Sequence, residues 1–447
     1  MKEVAGKSSE HARGLAEELR AQNELAAQGL FVSEKDREIL RALAKRLAEL
    51  AALPVQDEKR ALWYAHNDLK TDAPLIFCDP ENGWHEIITD GDLECEGPLA
   101  RGWEFRLRKE VFWGAEMGDD RVARALFEVP HVYNDTGWGL EYTKIGGEDG
   151  GSYVWESPVE DYARDLPKLH HPRIVIDEAA TAQRLNFARD LFGDILEVRL
   201  KTAWWWTLGM TWTLVNLRGL EQIMFDMIDD PDHLHEIMAF LRDGNLARID
   251  FLEENGLLYL NNDGSYVGSG GFGWTHELPQ DDFDSPENGG KVRTIDMWGF
   301  AESQETVGVS PEMFEEFIFP YQLPLLERFG LNCYGCCEPL DKRWHVVERF
   351  PRLRRISVSP WADVAFMAER LGPNYVYSRK PNPAYIARPV IDEGVIREEL
   401  RETLEAAKRH DCRLELIMKD NHTIGKNPRN PVRWVEIARE EIANVYG

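Results

Sequence analysis

The sequence Asn332-Cys333-Tyr334-Gly335-Cys336-Cys337-Glu338-Pro339 gathers three thiols and a carboxylate in one short stretch. Thiolates bind zinc at about 2.3 Å, and a catalytic zinc takes three protein ligands and keeps one position open. A structural zinc ribbon would need a second Cys-x-x-Cys pair, which the chain's 6 cysteines do not supply. Any metal at this turn must therefore recruit ligands from distant segments. The competing reading is that Cys333 and Cys337 are small buried apolar residues.

Three further segments carry polar chemistry. Met418-Lys419-Asp420-Asn421-His422-Thr423 puts an imidazole just past an apolar run, where it would serve as a ligand or a general acid–base. Trp298-Gly299-Phe300-Ala301-Glu302-Ser303-Gln304-Glu305-Thr306 offers Glu302 and Glu305 as a metal ligand or a proton-transfer carboxylate, or else as solvated loop acids. Ser378-Arg379-Lys380-Pro381 sets two cations together, suited to a substrate carboxylate or phosphate or to local acids. Aromatic walls for a flat ligand are available in Trp204, Trp205 and Trp206, with Asn134, Asp135 and Trp138 similarly placed. Core packing would explain the tryptophans equally well.

These segments share a position: each follows a short apolar run. Runs at 74–78, 126–133, 195–200, 257–260, 294–300, 331–335, 354–359, 374–378 and 414–418 read as strands. Helical periods at 231–254, 311–328, 362–371, 393–410 and 430–444 lie between or after them. Repeated strand-then-helix order implies parallel strands with crossover helices, and the expectation is an α/β (β/α)8 TIM barrel, with an open doubly wound sheet second. Chemistry at strand C-termini is where such a barrel holds its active site. Residues 9–29 and 33–52 read as amphipathic helices, the second capped by Ser33. The chain is thus divided into an N-terminal helical extension, 1–55, and a barrel, 56–447, with long loops at 80–125, 135–170 and 261–293 over the strand ends. Gly268, Gly270 and Gly273 match G-x-G-x-x-G, but no helix period follows to hold a pyrophosphate, so a nucleotide site is not expected.

Composition limits the partners. In 447 residues there are 52 Lys and Arg against 79 Asp and Glu, a net charge of -27. This argues against nucleic acid and anionic membrane, which both require basic patches. The apolar stretch from Ala203 to Leu217 falls short of the ~20 residues a span needs. The first residues, MKEVAGKSSEHARGLAEELR, lack the apolar core of a signal peptide, and the crowded thiols suggest a reducing compartment, so the expected location is cytoplasmic.

The order of motifs resembles the uroporphyrinogen decarboxylase superfamily, which includes zinc- and corrinoid-dependent methyltransferases. The segments TLGMTWTLVNLRGLEQIMFDMIDDPDHLHEIMAFLRDG (207–244), GVSPEMFEEFIFPYQ (308–322) and SVSPWADVAFMAERLGPNYVYSRKPNPAYI (357–386) carry it. The resemblance spans roughly 74–447, is weak between 80 and 195, and implies a (β/α)8 barrel, often dimeric. The decarboxylases' arginine pair after the first strand is replaced by Phe77-Cys78-Asp79-Pro80-Glu81-Asn82-Gly83-Trp84. Asp79 and Glu81 would repel a multiply anionic tetrapyrrole, which excludes porphyrinogen decarboxylation.

Alignment with the methyltransferase branch places Tyr334-Gly335-Cys336-Cys337 on that branch's His-x-Cys-Gly zinc motif and His422 near its last ligand. The resemblance implies zinc held by Cys336, His422 and one of Glu302 or Cys337, with Cys333 also available. The implied activity is transfer of a methyl group from a small methylated compound, such as an aromatic methyl ether, to a corrinoid on a partner protein. In that reading Glu302, Asp420 or Asp135 handles the proton, while Asn134, Trp138, Trp205, Tyr334, Arg379 and Lys380 hold the substrate. The alternatives are a metal-free decarboxylase or lyase of a small carboxylic acid, with Arg379 or Lys380 as clamp, and a non-catalytic corrinoid-binding protein.

Overall fold

The computed structural model describes residues 30–146 and 153–447. The helix expected at 9–29 lies outside them. In chain order the strands are β1 (Leu75–Cys78), β2 (Leu126–Val129), β3 (Tyr133–Asp135), β4 (Thr143–Gly146), β5 (Tyr153–Glu156), β6 (Ile174–Ile176), β7 (Glu197–Leu200), β8 (Trp298–Ala301), β9 (Leu331–Tyr334), β10 (Leu353–Val358), β11 (Val376–Arg379) and β12 (Arg413–Met418). Strands β1-β12-β11-β10-β9-β8 form one parallel sheet in that order. Parallel neighbours need crossovers, and helices Val364–Leu371 and Glu393–Arg409 supply those from β10 to β11 and from β11 to β12. Asp363 and Asp392 cap their first turns by accepting backbone N–H bonds.

The architecture is therefore α/β with a six-stranded parallel sheet and the first strand beside the last. That order is compatible with a (β/α)8 barrel, but the ladder stops at β1 and β8. Strands β2 and β7 make a separate parallel pair, and β3–β6 and β4–β5 are short antiparallel pairs.

The unpaired edges are closed by side chains. On β1, Ile76 N donates to Asp120 Oδ2 (2.7 Å) and Cys78 N to Asp119 Oδ2 (3.0 Å), while Asp120 N donates to Ile76 O (2.8 Å). On β8, Trp298 N donates to Asn261 Oδ1 (2.9 Å), Asn261 Nδ2 returns a bond to Trp298 O (3.0 Å), and Leu208 N donates to Phe300 O (2.9 Å). Backbone groups that lack a strand partner thus still find one.

Local chemistry explains where elements depart from expectation. The run at 257–260 is not a strand, because Leu257 N bonds Leu252 O at the end of the preceding helix and Leu257 O accepts from the Trp204 indole. The helix expected over 311–328 is two, Pro311–Phe317 and Phe319–Leu326. Pro320 has no N–H to continue the first. β2 ends at Val129, before Pro130. Helix Glu34–Ala51 carries the expected Ser33 cap. It buries Leu40, Ala44 and Leu47 in a small core with Leu107, Phe127, Val129, Leu191 and Phe192, beside the β2–β7 pair.

Residues 266–274 lie against one face of the large sheet. Ser269 Oγ is 3.4 Å from Ser357 Oγ, Trp298 Nε1 donates to Gly273 O (2.9 Å), and Arg355 Nη2 donates to Phe272 O (3.1 Å). Below them Asn67 Nδ2 bonds both Phe272 O (2.8 Å) and Trp274 O (2.7 Å). The glycines permit this approach: a Cβ on Gly268 would strike Cys333 Sγ, and one on Gly271 (φ +77°) would lie 2.7 Å from Glu415 Oε1. The G-x-G-x-x-G spacing is thus a packing device.

Gly271→Ala is expected to destabilise the fold by about 2–4 kcal/mol, combining backbone strain with overpacking. Gly256→Ala, also left-handed (φ +66°) but with open space around its Cβ, should cost only about 1 kcal/mol. Urea unfolding of the two variants measures the difference, and equal midpoints would contradict the close approach.

Candidate active site

Strand parity sorts the candidate residues. Cys333, Arg355, Ser357, Ser378 and Glu415 share the face covered by the glycine segment, while their strand neighbours point into the helices. Tyr334 is fully buried on the helix side, its hydroxyl donating to Gln322 Oε1 (2.8 Å) and its ring stacked on Phe350. Arg379 likewise turns outward, to Thr403, Ser359 O and Glu399 (3.3 Å). Both are committed to packing and hydrogen bonds away from the glycine segment.

Beyond β9 the chain turns at Gly335 (φ +90°). Glu338 holds this turn to the one after β8, accepting from Cys336 N (2.9 Å) and Ser303 N (2.8 Å). The Cys336 and Cys337 sulfurs come within 3.6 Å, and the Cys337 thiol donates to Asp420 Oδ2 (3.2 Å). Hydrogen bonding to Cys336, followed by burial, pushes the Cys337 pKa well up. Behind them Lys419, 6% exposed, pairs with Glu81 (3.3 Å) and Asp420 (3.8 Å). Burial disfavours its charge, but Glu81 and Asp420 outweigh burial and raise its pKa. Asp79 accepts from the Trp84 indole (2.7 Å) and from the Tyr266 hydroxyl.

Next to this cluster is a cavity of about 120 Å³, lined by Trp204, Trp205, Trp206, Tyr259, Trp298 and Phe300 among others. Its volume approaches that of the ~150 Å³ apolar cavity that accepts benzene in an engineered protein. Trp206, Trp298 and Phe300 also pack in one apolar cluster with Cys333, Cys336 and Cys337. Three of the cavity's aromatic walls therefore belong to the same apolar cluster as the thiols. Lys201 contributes a polar rim, tied to Asp263 (2.9 Å) and Ser265 (2.7 Å).

Three buried carboxyls stand behind the β8 end. Burial raises the pKa of Glu302, Glu305 and Glu338, and for Glu302 the other two acids add to the effect. Glu302 Oε2 accepts from Gln304 N (2.9 Å), while its Oε1 has no hydrogen-bond partner. Glu305 accepts from Thr211 Oγ1 (2.7 Å). On the glycine-segment face, Lys380 is 3% exposed and its ammonium bonds Ser378 Oγ (2.8 Å). Burial lowers its pKa to about 8.

Other expected site residues lie elsewhere. Asn134 and Asp135 are exposed, Asp135 pairing with Arg248, and Trp138 packs on Phe240. His422 is exposed, whereas Cys336 is 3% exposed. Among the described residues no three His, Cys, Asp or Glu side chains are grouped to hold a metal ion. The expected zinc ligands are thus not brought together among the described residues. Lys419, Asp79 and Tyr266 are prominent here, yet none was expected to bind or react. Their only signal was position, just past a strand for the first two and within the glycine run for Tyr266.

No protein-family model matches the chain, and no curated protein matches it. Among solved structures, a methyltransferase from Methanosarcina mazei aligns over 87% of this chain and 99% of its own, at 10% identity and a TM-score of 0.47. No helix among the described residues is long and apolar enough to cross a membrane.

Two buried acids should respond oppositely to pH. Burial disfavours the Glu415 carboxylate, but Arg355 (3.0 Å) and then His66 outweigh it and bring its pKa down to about 2. Its stabilisation is present above the ordinary ~4.3 and lost as pH falls from there toward the folded value. Glu302 has a raised pKa, so its contribution is present below ~4.3 and lost as pH rises through the folded value. Glu415→Gln should cost about 3–5 kcal/mol at neutral pH by stranding Arg355, with the deficit shrinking in acid. Glu302→Gln should match the parent below about pH 4.3 and gain on it as pH rises from there, levelling off above the folded value. Thermal unfolding across the pH range tests both, and a Glu302→Gln deficit that grows with pH would contradict the assignment.

Proposed function

We propose that this chain is a methyltransferase that takes a methyl group from a small methylated aromatic compound to a corrinoid carried by a partner protein. One observation carries the reading: a tryptophan-lined cavity of single-ring size, whose walls Trp206, Trp298 and Phe300 pack in one apolar cluster with Cys333, Cys336 and Cys337. The sequence resemblance over 207–244, 308–322 and 357–386 supports the reaction class. The corrinoid, when bound, supplies the nucleophile. The chain's own residues do the rest. Trp204, Trp205 and Trp206 hold the ring and exclude water. Glu302, kept protonated by burial, gives its proton to the oxygen that leaves the methyl group.

The test is an anaerobic incubation of the full chain with a methoxylated benzene and reduced cobalamin, following cobalamin absorbance and phenol release. Phenol formation is expected, with Trp205→Ala raising KM about tenfold, equivalent to ~1.4 kcal/mol of lost ring contact, and leaving kcat nearly unchanged. No phenol from any single-ring methyl ether would end the reading.

The buried ammonium of Lys380 favours a second reading, a lyase that clamps a small carboxylate. Its signature would be carbon dioxide release without corrinoid, abolished in Lys380→Met. Substrate affinity would fall as pH rises through the Lys380 value of about 8.

A further inference from the structure

Adjacent thiols make a chelating unit, and this one is independent of the methyl-transfer reading. Zinc prefers four ligands in a tetrahedron, and among the described residues no group of three or more His, Cys, Asp or Glu is arranged to hold a metal ion. A trivalent arsenic that already carries one organic group needs only two sulfurs. The Cys336 and Cys337 sulfurs are 3.6 Å apart. Cys337 is the one cysteine that is not fully buried, so the pair has a reachable member and a shielded one. Asp420 accepts the Cys337 thiol proton (3.2 Å). Both cysteines also belong to one apolar cluster with Trp206 and Phe300, which line the aromatic cavity.

We propose that Cys336 and Cys337 form a bidentate site for trivalent organoarsenicals, with the arsenic bridging the two sulfurs and its organic substituent directed toward the tryptophan-lined cavity. The reaction balances without an oxidant. Two S–H bonds and two As–O bonds of the hydrated arsenical break, two As–S bonds form, and two waters leave. Arsenic remains trivalent. Soft thiolate ligands suit such a soft centre.

Phenylarsine oxide is the probe, added at one equivalent to the full chain in excess glutathione, a monothiol that cannot chelate. Intact mass is expected to show one phenylarsenic per chain, retained against glutathione and released by a dithiol. Cys336→Ser and Cys337→Ser should each weaken retention by at least about tenfold, because the second bond loses its effective concentration. Cys333→Ser should keep the adduct. No adduct on the folded parent, or retention in both serine variants of the pair, would overturn the proposal. If a serine variant does not fold, chymotryptic mapping of the parent adduct decides, because cleavage after Tyr334 separates Cys333 from the adjacent pair: arsenic on the peptide bearing Cys336 and Cys337 supports the site, and arsenic on Cys78, Cys95, Cys333 or Cys412 refutes it.

Discussion

Arg355 and Glu415 meet at 3.0 Å with neither side chain exposed, on the sheet face that the glycine segment covers. A buried ion pair is weak evidence of stability in itself, but losing one partner leaves a costly orphan charge. Here the pair has a further task. The guanidinium also donates to Phe272 O, and the carboxylate lies where a side chain on Gly271 would go. The pair thus fixes how the glycine segment descends along the sheet. Asn67 fastens the lower end of that segment and Tyr266 the upper, through Asp79. The position of the segment in turn sets Val267 and Gly268 as cavity walls. The charged floor and the aromatic cavity are consequences of one packing arrangement.

The polar groups beyond the strands divide into two zones. One is the ionic cluster of Glu81, Lys419 and Asp420, which approaches the thiols from the β1–β12 side. The other is the acid trio behind β8, where burial raises the carboxyl pKa values. Glu338 connects the zones by holding the turns after β8 and β9 together. One zone thus holds paired charges, and in the other burial disfavours ionisation. Such opposed environments are what acid–base chemistry draws on.

Much of the strand framework was legible in the sequence. β10, β11 and β12 fall on the expected apolar runs, and helix 231–254 matches its period to the residue. What the sequence left open depended on contacts remote in the chain. Residues 257–260 look like a strand until the Trp204 indole takes Leu257 O. The ladder's stopping points could not be read, because Asp119, Asp120 and Asn261 act through side chains that follow no periodic pattern. Motif alignment also misled at Tyr334. It drew attention to a residue whose neighbour Cys333 faces the glycine segment, so strand parity already sent Tyr334 the other way. Lys419, one cation in a chain with 79 acids, gained meaning only from Glu81, which arrives from the turn after β1.

The carboxylates along β1 have one more effect. A strand with free N–H and C=O groups at the margin of a sheet is a template for a foreign strand, and long apolar margins invite aggregation. β1 is entirely apolar in its LIFC sequence and would be such a template. Asp119 and Asp120 occupy its donors with charged or chargeable groups, so an intruding chain would have to displace them before pairing. The same two residues that finish the sheet also act as its gatekeepers against misassembly.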